Sequence, residues 1–296
     1  MPRINDIQIR DPFIFIEDGI YYLFGSTDKD IWRSPGVGFD MYTSRASLNE
    51  FEGPFPCFRP SVSFWSEINF WAPEVYKHNG EYYMFATFKP KEGRRGTAVL
   101  KTKSLGEPFM PWSEGPVTPA EWECLDGTLY IDRQGKPWMV FCHEWQQVVD
   151  GEICLMPLSA DLRAAAGKAQ LLFRASEAPW ASPLKGRTLT GYVTDGPNLY
   201  TTANGTLLML WSSFGPDAKY RIGLAVSESS QIQGPWKQQS EALYAADGGH
   251  GMLFRSLEGK LYLTVHTPNK SPDERPIFIE MIEEEGLVRP VKNIVP

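Results

Sequence analysis

The sequence predicts an all-β chain folded as a five-bladed β-propeller, and three observations carry that prediction. A hairpin pattern recurs five times, turning at Gly19, Gly80, Gly135, Gly205 and Gly259. Each copy opens with a small turn residue or an acid, at Asp11, Ala72, Asp126, Asp195 and Gly249. Helical periodicity is nearly absent. One hairpin per irregular repeat is the mark of a propeller blade.

The strands justify themselves in order. Phe13-Ile-Phe-Ile and Tyr21-Tyr-Leu-Phe flank the first glycine. Tyr82-Tyr-Met-Phe, Trp138-Met-Val-Phe, Leu207-Leu-Met-Leu-Trp and Leu261-Tyr-Leu-Thr-Val follow the others. All are short, rich in aromatic and branched residues, and bounded by turn formers. A third strand is expected after each hairpin, beginning near Phe39, Thr97, Ile153, Arg221 and Pro276. Gly53-Pro-Phe and Gly234-Pro-Trp lead towards a fourth. Ser159 to Gln170 could form one short helix, though it lacks an apolar stripe.

Composition narrows the function. The 24 prolines and 26 glycines among 296 residues suit a chain with many turns, and no linker divides it, so one domain over 1–296 is expected. A net charge of −7 without a basic stripe argues against nucleic acid as a partner. No apolar run is long enough to predict a membrane span. The Met1-Pro-Arg-Ile-Asn start lacks a secretory layout, so the expectation is a cytoplasmic protein, or an exported one whose signal is missing from this sequence. Cys57, Cys124, Cys142 and Cys154 form no C-x-x-C pair and are expected as reduced core residues. Glu283-Glu284-Glu285 is expected as a solvated turn.

In a propeller the inner strands converge on one central pocket. The hairpin alignment makes Asp11, Ala72, Asp126, Asp195 and Gly249 equivalent, with Glu74 and His250 close by. One such aspartate reads as a turn residue. Three in register read as carboxylates around a cavity, which acid/base cleavage of a glycosidic bond requires.

Arg10-Asp-Pro-Phe, Trp71-Ala-Pro-Glu-Val, Leu125-Asp-Gly-Thr-Leu-Tyr-Ile-Asp and Thr194-Asp-Gly-Pro-Asn-Leu-Tyr resemble the blade openings of glycoside hydrolase family 43. The resemblance spans roughly residues 8 to 285. It implies a five-bladed propeller, an inverting mechanism, and α-L-arabinofuranosidase, β-xylosidase, arabinanase or galactosidase activity, with a plant-type oligo- or polysaccharide as partner. It implies Asp11 as general base and Asp126 as the aspartate that raises the acid's pKa. Asp195 stands where the family usually has the glutamate acid, one methylene longer. A second resemblance, of Trp122-Glu-Cys to a motif of the retaining fructan hydrolases of family 32, would move the acid/base role to Glu123.

Phe13, Trp71, Trp145 and Phe214 are the candidate sugar-facing aromatics, with Trp65 and Phe70 in the same loops. Glu74 is a further carboxylate near the channel. The resemblance implies that Arg275 reaches the sugar and that His250 lines the channel, where some members bind a central calcium; no cofactor is otherwise required. His143 and Glu144 are expected at the pocket rim. The rival from another class is a propeller that binds sugar without cleaving it. A WD-type scaffold is disfavoured because the Gly-His and Trp-Asp marks are missing.

Overall fold

The structure is a computed structural model that describes residues 1–291, except 33, 46 and 187. Five four-stranded antiparallel sheets follow one another along the chain. Blade 1 comprises β1 (Arg10–Glu17), β2 (Ile20–Ser26), β3 (Phe39–Ser44) and β4 (Glu52–Phe58). Blade 2 comprises β5 (Ile68–His78), β6 (Glu81–Lys89), β7 (Gly96–Thr102) and β8 (Met110–Pro111). Blade 3 comprises β9 (Cys124–Ile131), β10 (Pro137–His143), β11 (Glu152–Pro157) and β12 (Gln170–Arg174), with a single helical turn, α1 (Trp145–Val148), after β10. A small hairpin, β13 (Leu184–Lys185) and β14 (Thr190–Gly191), precedes blade 4. Blade 4 comprises β15 (Asp195–Thr201), β16 (Leu207–Phe214), β17 (Tyr220–Ser227) and β18 (Trp236–Gln238). Blade 5 comprises β19 (Gly249–Arg255), β20 (Leu261–Thr267), β21 (Arg275–Glu284) and β22 (Leu287–Pro290).

The sequence reads through to this architecture because each inner hairpin needs a left-handed residue. The five turn glycines have φ of 71°, 82°, 78°, 88° and 81°, which glycine adopts without a Cβ penalty. Apolar faces of neighbouring blades then pack on one another, with a core cluster between each pair. Phe13, Phe24, Phe39, Phe58, Phe70 and Phe88 fill the space between blades 1 and 2. Ile9, Ile14, Leu23, Phe51 and Phe254 join blade 5 back to blade 1. Each such side chain contributes roughly 1.5–3 kcal/mol of burial free energy. The four cysteines are buried and unpaired.

Two sequence expectations change here. Ser159 to Gln170 is a turn rather than a helix: the Ser159 hydroxyl accepts the amides of Arg163 and Ala164 and folds the segment back on itself. Glu283 is tied rather than solvated, since it accepts from the Tyr200 hydroxyl at 2.6 Å and the Ala203 amide at 2.7 Å and pairs with Arg255.

What positions the site is a bulge repeated in every inner strand. Arg10, Trp71, Leu125, Asp195 and Gly249 pair with Ser26, Thr87, Cys142, Ser212 and His266, and the register slips just after each. The next residues, Asp11, Ala72, Asp126, Gly196 and His250, have φ of 54°, 47°, 55°, 52° and 43°. Four of the five are not glycine, so the strain is held by tertiary contacts. A bulge re-aims side chains, and here it turns two consecutive residues of a blade towards the axis. The hairpin alignment is therefore corrected by one residue in blades 4 and 5. Gly196 and His250, not Asp195 and Gly249, are the equivalents of Asp11 and Asp126. Asp195 occupies the place of Arg10 and Trp71.

The kink amides are satisfied around the ring. Those of Ala72, Asp126 and His250 donate to Ser26 Oγ, Thr87 Oγ1 and Ser212 Oγ, each at 2.8 Å. The Asp11 amide donates to His266 Nδ1 at 3.2 Å. In blade 3 the acceptor position holds Cys142, and the Gly196 amide instead donates to Asp126 Oδ2 at 3.0 Å.

Candidate active site

The kinks surround a cavity of about 410 Å³, within the range of roughly 300–1,000 Å³ usual for small-molecule sites. Asp11, Asp126, Asp195 and His250 line it, together with Arg10, Arg95, Glu144 and Tyr220. Trp32, Trp71, Trp145 and Phe214 supply its aromatic lining, with Trp32 and Trp71 in contact.

Asp11 is buried, yet held ionised. Its Oδ2 accepts from Ser26 Oγ at 2.6 Å, and its Oδ1 lies 3.2 Å from His250 Nδ1. Burial opposes the charge, but His250, Arg10 and the Ser26 hydroxyl outweigh it and lower the pKa. His266 stays neutral: burial and Arg10 push its pKa down to about 3. That fits Nδ1 accepting the Asp11 amide.

Asp126 and Asp195 behave oppositely. Burial drives both pKa values well above the usual carboxylate range, and like charge adds to it, from Asp11 on Asp126 and from Asp126 on Asp195. The two are linked through the Gly196 amide on Asp126. Gly196 is required there, because a Cβ would stand 2.6 Å from His250 Cγ. His250 Nδ1 lies 3.7 Å from Asp126 Oδ2, so its ring bridges the ionised and the protonated sides of the pocket. Asp195, partly exposed, accepts from the Tyr220 hydroxyl at 3.0 Å.

Sequence reasoning missed Arg10, Arg95, Trp32 and Tyr220. The Arg95 guanidinium lies 4.5 Å over the Trp71 ring and donates to Glu144 Oε2 at 2.8 Å. Arg10 lies 5.4 Å over Trp32 and donates to Asn269 Oδ1 at 2.7 Å. The signal for Arg10 was its place beside Asp11, which becomes informative only once the bulge is known. Trp32 is half exposed and meets Trp71 edge-on at 5.1 Å.

Of the predicted sugar contacts, Trp71, Trp145, Phe214 and His250 line the cavity, and so does Glu144. Phe13 does not: the bulge turns it into the core, edge-on to Tyr76 at 5.4 Å. Phe70 and Trp65 likewise pack in that core. Glu74 lies buried, bonded to the Tyr76 hydroxyl and 3.5 Å from Asn198 Nδ2. Burial raises its pKa to about 7. His143 is stacked on Trp122 at 4.2 Å and bonded to Gln147, supporting α1 from outside the cavity.

Arg275 acts as a clasp and is not among the residues lining the cavity. It donates to the carbonyls of Asn5, Pro272 and Glu274, joining β21 to the start of the chain. Glu123 also faces elsewhere: it accepts the Arg95 amide and pairs with Lys89 and Arg94. It is not among the residues lining the cavity.

Calcium takes six to eight oxygens. Among the described residues no group of three or more His, Cys, Asp or Glu side chains is set to hold a metal. His250 Nδ1 is turned to Asp11 and Asp126, and the Glu74 oxygens are taken by Tyr76 and Asn198. This donor set does not fit a calcium cage.

Comparison with known proteins agrees with the fold. The chain is 40% identical to an endo-arabinase from Bacteroides thetaiotaomicron of known structure, covering 96% of this chain and 98% of that one with a TM-score of 0.89. It is 25% identical over 172 residues to the extracellular exo-α-(1→5)-L-arabinofuranosidase ArbA of Cellvibrio japonicus, covering 53% of this chain. It is 25% identical over 154 residues to the xylosidase/arabinosidase 43A of Humicola insolens, covering 49% of this chain. The matches span 46% of each of those two curated relatives, about half their length. The family model described as "Glycosyl hydrolases family 43" matches residues 4–284, so the chain belongs to that family.

Proposed function

We propose that this chain hydrolyses glycosidic bonds in arabinan- or xylan-type glycans with inversion at the anomeric carbon. The observation that carries the reading is the split of protonation states in one cavity: Asp11 held ionised, and Asp126 with Asp195 held towards the protonated form. An inverting hydrolysis needs one carboxylate as base and one carboxyl as acid. Asp11 takes a proton from a water, whose oxygen bonds to the anomeric carbon. Asp195 gives its proton to the departing glycosidic oxygen as that bond breaks. Solvent then returns the proton from Asp11 to Asp195. Asp126 and Asp195 are a repelling pair in which ionisation of one opposes ionisation of the other, so Asp126 is the neighbour that helps Asp195 keep its proton. Trp71, Trp145 and Phe214 offer apolar faces to the sugar rings. The relatives named as arabinanase, arabinofuranosidase and xylosidase support the substrate class.

Asp195 is one methylene short of a glutamate. Its place ahead of the kink, on the wall of the cavity, supports its reaching the leaving oxygen. The position of Glu123 outside the cavity lining argues against the retaining alternative.

The test is proton NMR of the first anomer released from 4-nitrophenyl α-L-arabinofuranoside, β-xyloside and arabino-oligosaccharides. Inverted product is expected. Asp195→Ala should lose most activity on oligosaccharides and keep more on the nitrophenyl glycoside. Retained product would overturn the mechanism, and binding without turnover of any of these would leave a sugar-binding propeller.

A further inference from the structure

We infer that Tyr220 is a positioning residue that decides which oxygen of Asp195 carries the transferable proton. This deepens the proposed function and rests on Asp195 being the acid. Among the described residues the Tyr220 hydroxyl has one hydrogen-bond partner, Asp195 Oδ2, at 3.0 Å. If Asp195 carried its proton on Oδ2 and donated it to Tyr220, the phenol's own proton would find no protein acceptor among the described residues, so donation by the phenol is the better-satisfied arrangement. The phenol therefore donates, Oδ2 accepts, and the acidic proton stands on Oδ1. When Asp195 loses that proton to the leaving group, the same bond becomes a charge-assisted one and strengthens.

Tyr220 is built to hold this position. It is the first residue of β17 and only 2% exposed. Its ring lies 5.2 Å from Phe214 on one side and stacks on His266 at 5.7 Å. Its amide donates to Asp247 Oδ1 at 3.2 Å, and its carbonyl accepts from Gly248. Gly249 passes so near that a Cβ there would come within 2.8 Å of the ring. A side chain locked on its ring, amide and carbonyl can set a carboxyl's orientation. That orientation makes up for the lost methylene: a shorter acid has less reach and depends more on a fixed proton direction.

The charged groups around the pair are known. Asp126 on β9, Glu144 after β10 and His250 on β19 face Asp195. Asp11 and Arg10 on β1 and Asp126 act on Tyr220, whose pKa burial raises well above its ordinary value, so it remains a donor across the working range. The Cys142 thiol on β10 is also pushed up, by burial and by Asp126 and Asp195, and stays neutral.

The experiment is the pH dependence of kcat/KM for 4-nitrophenyl and phenyl glycosides of the preferred sugar, in wild type, Tyr220→Phe, a chain with 3-fluorotyrosine at position 220, and Asp195→Ala. Without its donor, Asp195 loses less by staying protonated, so the alkaline limb of Tyr220→Phe should move up by about one pH unit. Its rate should fall about 10-fold on the phenyl glycoside, which needs acid assistance, and less than 3-fold on the nitrophenyl one. Fluorotyrosine is a stronger donor and should move the limb down. Equal losses on both leaving groups with unmoved limbs in both Tyr220 variants would make Tyr220 merely structural and overturn the inference. If Asp195→Ala keeps wild-type rates on the phenyl glycoside, the assignment of the acid fails instead.

Discussion

Gly196→Ala tests how the pocket holds its base and its acid at once. The new Cβ would stand 2.6 Å from His250 Cγ and 2.9 Å from Nε2. His250 Cδ2 lies nearer still, and carbon contacts settle at about 3.5 Å or more, so the ring must retreat by about 1 Å. The backbone cannot carry the ring away, because the His250 amide is fixed on Ser212 Oγ and its φ is already 43°, so the side chain itself must shift. The retreat draws Nδ1 from Asp11 and Asp126, which it approaches at 3.2 and 3.7 Å. Alanine at a φ of 52° adds about 1–2 kcal/mol of backbone cost, and the overpacking about 1–3 kcal/mol.

Three readouts follow. Stability by urea unfolding should fall by about 2–5 kcal/mol. At pH 7, kcat/KM should fall about 100-fold, the usual cost of misplacing a reacting group by about an ångström. The acidic limb should move up, because His250 lowers the Asp11 pKa and would do so less from further away. Gly135→Ala is the control: its φ is 78° and no atom lies within 4 Å of the new Cβ. It should show the backbone cost with unchanged kinetics. If Gly196→Ala keeps wild-type kcat/KM and an unmoved acidic limb, His250 does not set the state of Asp11 and the reasoning is wrong.

Three further outcomes are expected. The folded-state pKa of Glu74 is raised from 4.5 to about 7, so the folded chain keeps a proton that the unfolded chain has lost across that window. Stability therefore falls as pH rises from 4.5 to 7, by on the order of 3 kcal/mol; Glu74→Gln should remove this fall, and parallel unfolding free energies for the two chains at pH 5 and 8 would refute it. Cys142→Ser gives the Gly196 amide an alternative acceptor and releases Asp126, whose pKa that bond lowers; the less charged Asp126 should let the alkaline limb of kcat/KM drop, and an unchanged pH profile would refute it. Arg275→Ala should cost about 1–2 kcal/mol of stability with KM unchanged; a raised KM would return Arg275 to the sugar site.

The blades were legible in the sequence because their determinants are local. A turn that demands a positive φ announces itself as glycine, and the flanking strands show aromatic and branched runs. The site was legible only in part because its geometry depends on register between strands. Asp11 and Asp126 line the cavity, where the hairpin alignment expects them, and stand at the kink. Asp195 stands one residue before it, and only pairing with Ser212 reveals this. Phe13 reads in the sequence as a sugar-facing aromatic, but the bulge between Arg10 and Phe13 turns it into the core. Arg95 has no motif. It reaches the cavity by lying across Trp71, a contact made by tertiary packing.

The same ring of amides explains why blade 3 differs from its neighbours. Ser26, Thr87, Ser212 and His266 each accept an amide from the next blade, an arrangement that fixes backbone while leaving the kink side chains free to face the cavity. A cysteine is a poor acceptor, so at Cys142 the duty passes to the Asp126 carboxylate. The consequence is chemical as well as structural. The bond anchors Asp126 through the residue that follows Asp195, so the two carboxyls cannot drift apart. Their mutual repulsion is thereby fixed, and with it the protonation of the pair. A serine at 142 would make the ring uniform and the backbone as well supported, but it would uncouple the acid from its neighbour. On this account the irregular blade is the one in which backbone support and pKa control are carried by a single hydrogen bond.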